Sequence, residues 1–285
     1  MPNISQMLKA LARERGVGLE ILQKDYALSY LLAGIEQTPG LGNQIVLKGG
    51  TALKKVYYSN YRFSEDLDYS TTRLGFLPNG DVLMQAAVER LVSLLNERGP
   101  FEVQLEALTL RLPHPGQQMA YTVRVRFPDQ RQSLCRLKVE ITVDEPVILP
   151  AEERPVLHEF AEPLQVKVRV YTLAEIVAEK LRALLQSQTK LTERGWGASR
   201  VCRDYYDLWF VLGREKLAGV PQLVTKKCAV RGIGTASPQD FVSEQLMDIA
   251  HREWDQQLRP FVPDMPEAEQ VLSEARALIL HLYGL

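Results

Sequence analysis

The amino-acid sequence predicts an α+β fold, with a mixed or largely antiparallel sheet in the N-terminal part and only helices in the C-terminal part. Helical and strand patterns alternate over the first 98 residues, strand patterns dominate residues 101–143, and helical periodicity alone follows residue 172. A repeated strand–helix order, which is typical of a doubly wound parallel sheet, does not occur. We therefore predict two domains, over residues 1–170 and 171–285.

The N-terminal elements follow from apolar spacing. Apolar residues three and four apart predict helices, and alternating β-branched residues predict strands. The predicted helices are 3–16, 19–36, 52–58 and 81–98. The predicted strands are 44–47, the second half of 62–70, 101–112, 119–127, 134–143 and 165–171. Residues 145–155, with three prolines and three acidic side chains, are predicted to leave the sheet.

The C-terminal part begins with a capping pattern. Thr172 is followed three residues later by Glu175, which is typical of the first turn of a helix. Helices are predicted over 172–188, 203–213, 238–259 and 266–283.

Composition excludes several classes of protein. The 285 residues are 46% hydrophobic and 24% charged with a net charge of −1, which excludes disordered, collagen-like and polycationic chains. The three cysteines form no CxxC spacing and the four histidines no HxxxH pair, which argues against a disulfide framework and a Cys or His metal site. No signal peptide or membrane-spanning run is recognisable, so we expect a cytoplasmic protein without membrane contact.

The near-neutral total charge conceals an uneven distribution. Residues 180–231 hold eleven basic and four acidic side chains, a net charge of +7, whereas residues 232–285 hold three and nine, a net charge of −6. The basic stretch suits a polyanion such as RNA, although solvated helix faces would give the same count. Within it, Trp196 between Arg194 and Arg200 is our candidate for nucleic-acid contact.

Asp66 and Asp68 form the most informative short segment. On a strand, side chains two residues apart point to the same face, so both carboxylates would meet at one place. Carboxylates this close repel one another unless a cation lies between them. Mg²⁺ suits this position because it takes one or two carboxylates and completes its shell with water and phosphate oxygens. The alternative is an ordinary pair of solvated residues.

Gly49 and Gly50 stand between a predicted strand and a predicted helix, about 16 residues before Asp66. Glycine there lets backbone N–H groups approach a phosphate, which a helix N-terminus favours. A tight turn that needs positive φ is the simpler explanation. A phosphate-binding turn followed by a carboxylate pair is more specific than either motif alone.

A third carboxylate is available at Glu140. It alternates with Leu137, Val139 and Ile141 along its predicted strand. If that strand lies beside Asp66 and Asp68, Glu140 completes a two-metal site. An ordinary outward-facing glutamate fits the pattern equally well, and Asp144 is the second choice.

Lys180 falls inside the apolar arc of the predicted helix 172–188. A lysine that points to an interior extends its amine to solvent or meets a negative partner, such as a nucleoside triphosphate. In the next helix Asp204 and Asp207 share a face. Asp204 also suits a helix cap, and Asp207 suits an ion pair with Arg203.

Four short blocks carry a family resemblance when they are taken together. They are Lys48-Gly49-Gly50-Thr51, Arg62-Phe63-Ser64-Glu65-Asp66-Leu67-Asp68, Lys180-Leu181-Arg182-Ala183 and Arg203-Asp204-x-x-Asp207-Leu208. In this order they resemble the AbiEii/AbiGii nucleotidyltransferase toxins of the DNA polymerase β-like superfamily. The segment Lys24-Asp25-Tyr26 is also similar to the family. The second block beside the first is quite specific, whereas the last two would be weak alone.

The resemblance implies a polymerase-β-like nucleotidyltransferase fold, with a mixed sheet flanked by helices and followed by a helical domain. It implies Mg²⁺- or Mn²⁺-dependent use of a nucleoside triphosphate and transfer of a nucleotide to RNA, at the 3′ end of tRNA. It also implies the role of a toxin in a toxin–antitoxin or phage-defence system, with an antitoxin encoded in the same operon.

The matching positions give the expected site. Asp66 and Asp68 match the metal-binding carboxylates, Lys180 the triphosphate-facing lysine, and Asp207 or Asp204 the acidic motif of the helical domain. Glu140 is the expected third metal ligand. Arg62 and Arg203 would add positive charge around the phosphates. Nucleotide binding is therefore expected at Gly49, Gly50, Thr51, Arg62, Ser64, Lys180, Arg203 and Asp204.

Two other functions stay open. Nucleotidyl transfer to a protein hydroxyl or to a small molecule such as an aminoglycoside needs the same fold, which cannot distinguish the acceptors. The basic stretch favours RNA, since an enzyme for a cationic drug would need an acidic pocket. A non-enzymatic nucleotide-binding regulator leaves the carboxylate pair without a role.

Overall fold

A mixed sheet organises the N-terminal part of the computed structural model, which describes residues 4–75, 77–108, 117–198, 200–234 and 237–285. Its strands are β1 (Ile45–Lys48), β2 (Asp66–Thr71), β3 (Glu102–Ala107), β4 (Gln118–Arg126), β5 (Cys135–Thr142), β6 (Glu152–Pro155) and β7 (Lys167–Val170). Their spatial order is β3-β4-β5-β2-β1-β7-β6. The pairs β1–β7 and β2–β5 are parallel and the other neighbours antiparallel, which confirms a mixed sheet.

The chain divides into two units, Met1–Tyr171 and Thr172–Leu285. The first contains the sheet and four helical segments. These are α1 (Ile4–Arg15), α2 (Leu19–Glu36), α3 (Gly49–Ala52), which continues as a π-helix over Leu53–Tyr57, and α4 (Gly80–Asn96).

The two faces of the sheet differ because apolar and polar residues alternate along its strands. In β5, Leu137, Val139 and Ile141 are fully buried, whereas Lys138 and Glu140 between them are half-buried. The apolar face packs against helices. One contact is the hydroxyl of Tyr121, a residue paired with Val139, which donates a hydrogen bond of 2.8 Å to Asp81 of α4. We call the opposite side, which carries Asp66, Asp68 and Glu140, the polar face.

Helices make up the described part of the second unit. They are α5 (Leu173–Arg194), α6 (Val201–Leu212), α7 (Val220–Val230), a short 3₁₀ helix (Pro238–Val242), α8 (Glu244–Leu258) and α9 (Ala268–His281). The hydroxyl oxygen of Thr172 accepts the backbone N–H of Glu175 at 3.2 Å, as the capping pattern predicted. A cap of this kind stabilises a helix by about 1 kcal/mol.

Several element predictions need correction. Residues 152–155 form β6 although we predicted that this stretch leaves the sheet; the strand is polar and lies at the sheet edge, where alternation is not required and Pro155 is tolerated. Helix α7 was not predicted, and α5 extends to Arg194, beyond its predicted end at residue 188.

The predicted helix 238–259 is interrupted at Ser243, whose side chain caps α8 by accepting the N–H of Leu246. The predicted strand 101–112 ends at Ala107, and its residues 109–112 lie outside the described part of the chain. Across the residues that the structure describes, no helix has both the length and the apolar character needed to cross a membrane.

Candidate active site

The pairing of β2 with β5 brings three predicted site residues onto one face. In this parallel pair Asp68 lies opposite Glu140 and Asp66 opposite Lys138. All four side chains are half-buried, whereas Leu67, which points to the other face, is fully buried. Glu140 was predicted to join the carboxylate pair if its strand lay beside that of Asp66 and Asp68. The two strands are neighbours in the sheet.

Gly49 adopts a backbone conformation that only glycine takes readily. Its φ is +75°, and a Cβ atom built on it would stand 2.7 Å from Oδ2 of Asp68. Contacts that short do not occur at a real Cβ, so the absence of a side chain lets the backbone approach the carboxylate. The positive φ that the sequence analysis offered as the simpler explanation is therefore present.

Gly50 makes room for two other predicted site residues. A Cβ atom built on Gly50 would stand 2.8 Å from Nη2 of Arg62 and 3.3 Å from Oγ of Ser64. Arg62 is only 4% exposed and donates a hydrogen bond of 3.2 Å to the Phe63 carbonyl. The guanidinium is therefore held beside the glycine turn, where its charge favours an anion.

Thr51 connects the glycine turn to β2. Its side chain is buried, and its hydroxyl donates to the backbone carbonyl of Asp66 and lies 2.8 Å from Oγ of Ser64. These contacts position Asp66, so the structure gives Thr51 a structural task within the predicted nucleotide site.

A buried ion pair fixes the helical segment that follows the turn. Nζ of Lys55 in the π-helix lies 2.6 Å from a carboxylate oxygen of Asp25 in α2, and both side chains are 1% exposed. Burial lowers the pKa of Lys55, and Asp25 opposes that shift. The sequence analysis missed this pair. An acidic residue within the apolar run of α2 was the signal, because a buried charge requires a partner.

Lys48 is a second residue that the sequence analysis did not single out. It lies opposite Asp68 in the antiparallel β1–β2 pair, so Lys48, Asp68 and Glu140 form one row across three strands. The residue is 7% exposed, and its Nζ lies 3.5 Å from a carboxylate oxygen of Glu145. Its place in the first sequence block, before Gly49, was the available signal.

Glu140 and Asp144, the alternatives for a third metal ligand, have different surroundings. The Glu140 carboxylate lies 2.9 Å from Nζ of Lys138 and accepts a hydrogen bond of 2.6 Å from Gln118. Asp144 follows β5 and accepts the backbone N–H of Gln117 at 2.8 Å.

Asp66 and Asp68 are two carboxylates on one face of the sheet that could hold a metal. Within the described ranges, no group of three or more His, Cys, Asp or Glu side chains is arranged to hold an ion. Two carboxylates on one face fit Mg²⁺, because this ion uses one or two carboxylates together with phosphate oxygens and water.

In the second unit, the third and fourth sequence blocks meet. Nζ of Lys180 in α5 lies 2.7 Å from Oδ1 of Asp204 and 2.7 Å from Oδ2 of Asp207 in α6. Asp207 is 1% exposed. The negative partner expected for an inward-pointing lysine is thus present in the same unit, and Asp204 stands in the first turn of α6 and not at its cap.

Arg203 has its own environment in the second unit. Its guanidinium stacks 4.5 Å from the centroid of the Phe261 ring, and Nε donates a hydrogen bond of 3.2 Å to the carbonyl of Gln257. These contacts do not test the nucleotide-binding role predicted for Arg203.

The sequence and the fold are similar to those of known proteins. Residues 30–275 match the family described as nucleotidyl transferase AbiEii toxin, type IV TA system. Among solved structures, the fold is similar to that of MenT4, a nucleotidyltransferase toxin from Mycobacterium tuberculosis H37Rv, with a TM-score of 0.58, 22% sequence identity, and coverage of 96% of this chain and 98% of that chain. No curated protein matches the sequence.

Proposed function

Because the chain belongs to the AbiEii family of nucleotidyltransferase toxins from type IV toxin–antitoxin systems, we propose that its substrate pair is a nucleoside triphosphate and the 3′ end of an RNA, namely tRNA, and that it uses Mg²⁺. The single observation that carries the metal-dependent reaction is the parallel pairing of β2 with β5, which gathers Asp66, Asp68 and Glu140 on the polar face beside Gly49.

In this reaction the protein contributes positioning and charge neutralisation more than covalent chemistry. The 3′ hydroxyl of the acceptor attacks the α-phosphorus, the bond from that phosphorus to the bridging oxygen breaks, and pyrophosphate leaves. Asp66 and Asp68 would hold the metal. Bound there, Mg²⁺ lowers the pKa of the attacking hydroxyl and neutralises negative charge on the leaving group.

The glycine turn is assigned to the phosphates. Gly49 lies next to Asp68, and Gly50 lies next to the Arg62 guanidinium and Ser64. A phosphate group at this turn would meet backbone N–H donors and one buried positive charge. Thr51 and the Asp25–Lys55 pair hold the turn in place.

An RNA acceptor is supported by the surface of the second unit. Trp196 is 68% exposed, which is unusual for so large an apolar side chain, and Arg194 and Arg200 on either side of it in the sequence are exposed too. An accessible aromatic ring near cationic side chains is typical of surfaces on which nucleic-acid bases stack.

The experiment that tests this function identifies the acceptor. The full-length protein is incubated with Mg²⁺, each nucleoside triphosphate labelled at the α-phosphate, and either total RNA or total protein. We expect label in the tRNA band, lost in Asp66→Ala and in Lys180→Ala. Label confined to protein or to small molecules would contradict the RNA acceptor, and label that persists in Asp66→Ala would contradict the site.

A further inference from the structure

The polar face continues from Asp66 and Glu140 toward the β3 edge, where arginines accumulate. We call the residues Arg124, Arg126, Arg131 and Arg136 the arginine strip. Arg136 precedes Lys138 and Glu140 at two-residue intervals in β5, and Arg124 lies opposite Arg136 in β4, so these side chains share the face of the carboxylate pair.

The cross-strand pair of Arg124 and Arg136 is unfavourable for the sheet by itself. Like charges directly opposite one another destabilise an antiparallel pair. Nε of Arg124 donates a hydrogen bond of 2.7 Å to Glu106 of β3, which is an exposed residue. Arg136 is exposed, and in the part of the chain that the structure describes it makes no hydrogen bond or ion pair. Glu106 offsets part of the repulsion, because Arg124 and Arg136 both lower the pKa of its carboxylate. A further anion at Arg136 would offset more of it.

The strip lines an open groove of about 670 Å³, and none of the described residues that line it has an apolar side chain. Besides the four arginines, two glutamates and the uncharged residues Gln104, Gln132 and Ser133 line it, so its net charge is +2. Guanidinium, amide and hydroxyl groups are the side chains that contact phosphate oxygens. A protein partner would instead call for an apolar or aromatic centre, which this groove lacks.

The position of the strip relates it to the site. Arg136 stands four residues before Glu140, which is opposite Asp68, and four residues of strand span about 13 Å. A strand of RNA whose last nucleotide reached the carboxylate pair would therefore place earlier phosphates over the strip.

We propose that the arginine strip binds the phosphate backbone of the acceptor RNA upstream of its reactive 3′ hydroxyl. This inference rests on the proposed function, because it takes the acceptor to be RNA. It assigns the β3–β4–β5 end of the polar face to acceptor binding, separately from the chemistry at Asp66 and Asp68.

The test is direct binding of fluorescent tRNA by the full-length protein, without nucleotide, between 50 and 200 mM salt. The variant is Arg131→Gln/Arg136→Gln, since neither side chain has an ion pair among the described residues. The control is Arg13→Gln/Arg90→Gln, which removes the same charge from exposed positions on α1 and α4. We expect the strip variant to bind about tenfold more weakly, with the salt slope reduced by about 1.4 to 1.8 for two lost contacts, and the control to bind as the wild type does.

The outcomes separate this inference from the proposed function. Equal binding by the strip variant and the wild type would overturn it, as would competition by poly-glutamate at the same charge concentration as RNA, which would indicate an acidic protein partner. RNA binding that depends on the strip, without nucleotide transfer, would support the strip and overturn the proposed function. Transfer to tRNA, together with unchanged tRNA affinity in the strip variant, would support the proposed function and overturn the role of the strip.

Discussion

At the scale of single residues, Gly49 gives the sharpest test of the geometry beside Asp68. In Gly49→Ala the new methyl group would collide with the Asp68 carboxylate at 2.7 Å and would also strain a backbone with φ of +75°. We expect transfer to fall at least about a hundredfold and stability to fall by about 1–2 kcal/mol. Initial rates and urea unfolding measure the two effects.

A matched substitution separates strain from collision. Gly16 has φ of +64° and nothing within 4 Å of a built Cβ atom, so Gly16→Ala adds the strain alone. Its transfer rate should match the wild type. If Gly49→Ala retained the same activity as Gly16→Ala, the close approach to Asp68 would have no part in catalysis.

Glu162 predicts a dependence of stability on pH. Burial by itself raises the pKa of Glu162. The nearby His158, whose Nε2 lies 3.7 Å from the carboxylate, and the Tyr30 hydroxyl, which donates a hydrogen bond of 3.0 Å to it, outweigh burial and lower the pKa to about 2, from an ordinary value of 4.5. The folded state therefore favours the ionised carboxylate. This stabilisation is complete above about pH 4.5 and is lost as the pH falls toward 2.

Replacing Glu162 should remove that part of the acid sensitivity. We expect Glu162→Gln to be less stable than the wild type at pH 6 and to show a smaller decrease in urea midpoint between pH 5 and about pH 2. Glu14→Gln, at an exposed position on α1, should follow the wild-type curve. Parallel curves for Glu162→Gln and the wild type would show that Glu162 does not titrate in this range.

At the scale of elements, Lys180 joins α5 to α6 through Asp204 and Asp207. Lys180→Met leaves Asp207, which is 1% exposed, facing a neutral side chain, and we expect a loss of about 3 kcal/mol in unfolding free energy. Lys180→Met/Asp207→Asn should recover most of it. If Lys180 also faces the triphosphate, as the family resemblance implies, the double variant folds and stays inactive.

Lys227 provides the control for this comparison. It is fully buried and lies 2.9 Å from Glu175 and 3.1 Å from Glu179 in the same unit. Lys227→Met should destabilise the fold while the remaining folded molecules keep their transfer rate. Full activity in Lys180→Met/Asp207→Asn would show that Lys180 is structural only.

The elements differ in how far the sequence could predict them. Strands β4 and β5 begin and end close to their predicted limits, because alternation reports directly which side chains are buried. β6 has no such alternation. It is a charged edge strand that ends at Pro155, and among the described strands its backbone pairs with β7 alone. Its existence depends on a neighbour, which local sequence does not reveal.

The candidate site shows the same division between local and long-range information. Asp66 and Asp68 were predictable from their two-residue spacing. The neighbour of their strand was not, because β5 follows β2 by about 70 residues and Glu140 entered only as a conditional prediction. Asp25 and Lys55 were missed for the same reason, since the choice of ion-pair partner is a property of the folded chain.

At the scale of the whole molecule, net charge is informative only after burial is known. The count of +7 over residues 180–231 includes Lys180 and Lys227, each of which forms ion pairs with two carboxylates of the second unit. The exposed basic side chains, such as Arg194 and Arg200, are those available to a polyanion. The arginine strip belongs to the first unit, so the charge counts over residues 180–231 and 232–285 did not include it.

The family match spans residues 30–275 and therefore includes parts of both units. We accordingly place the activity in the full chain, and each assay uses it. The carboxylates on the polar face are nonetheless expected to carry the chemistry, because nucleotidyl transfer to a hydroxyl is driven by metal-held charge neutralisation.

The rate of nucleotide incorporation into purified tRNA by Asp66→Asn, with Mg²⁺ and the preferred triphosphate, tests this central claim most directly. We predict an unchanged circular dichroism spectrum and thermal midpoint with a rate at least about a thousandfold below the wild type, whereas Asp129→Asn, at an exposed position in the same unit, transfers normally. Wild-type transfer by folded Asp66→Asn would contradict the catalytic role of the carboxylate pair, and unfolding of that variant would show that Asp66 is structural.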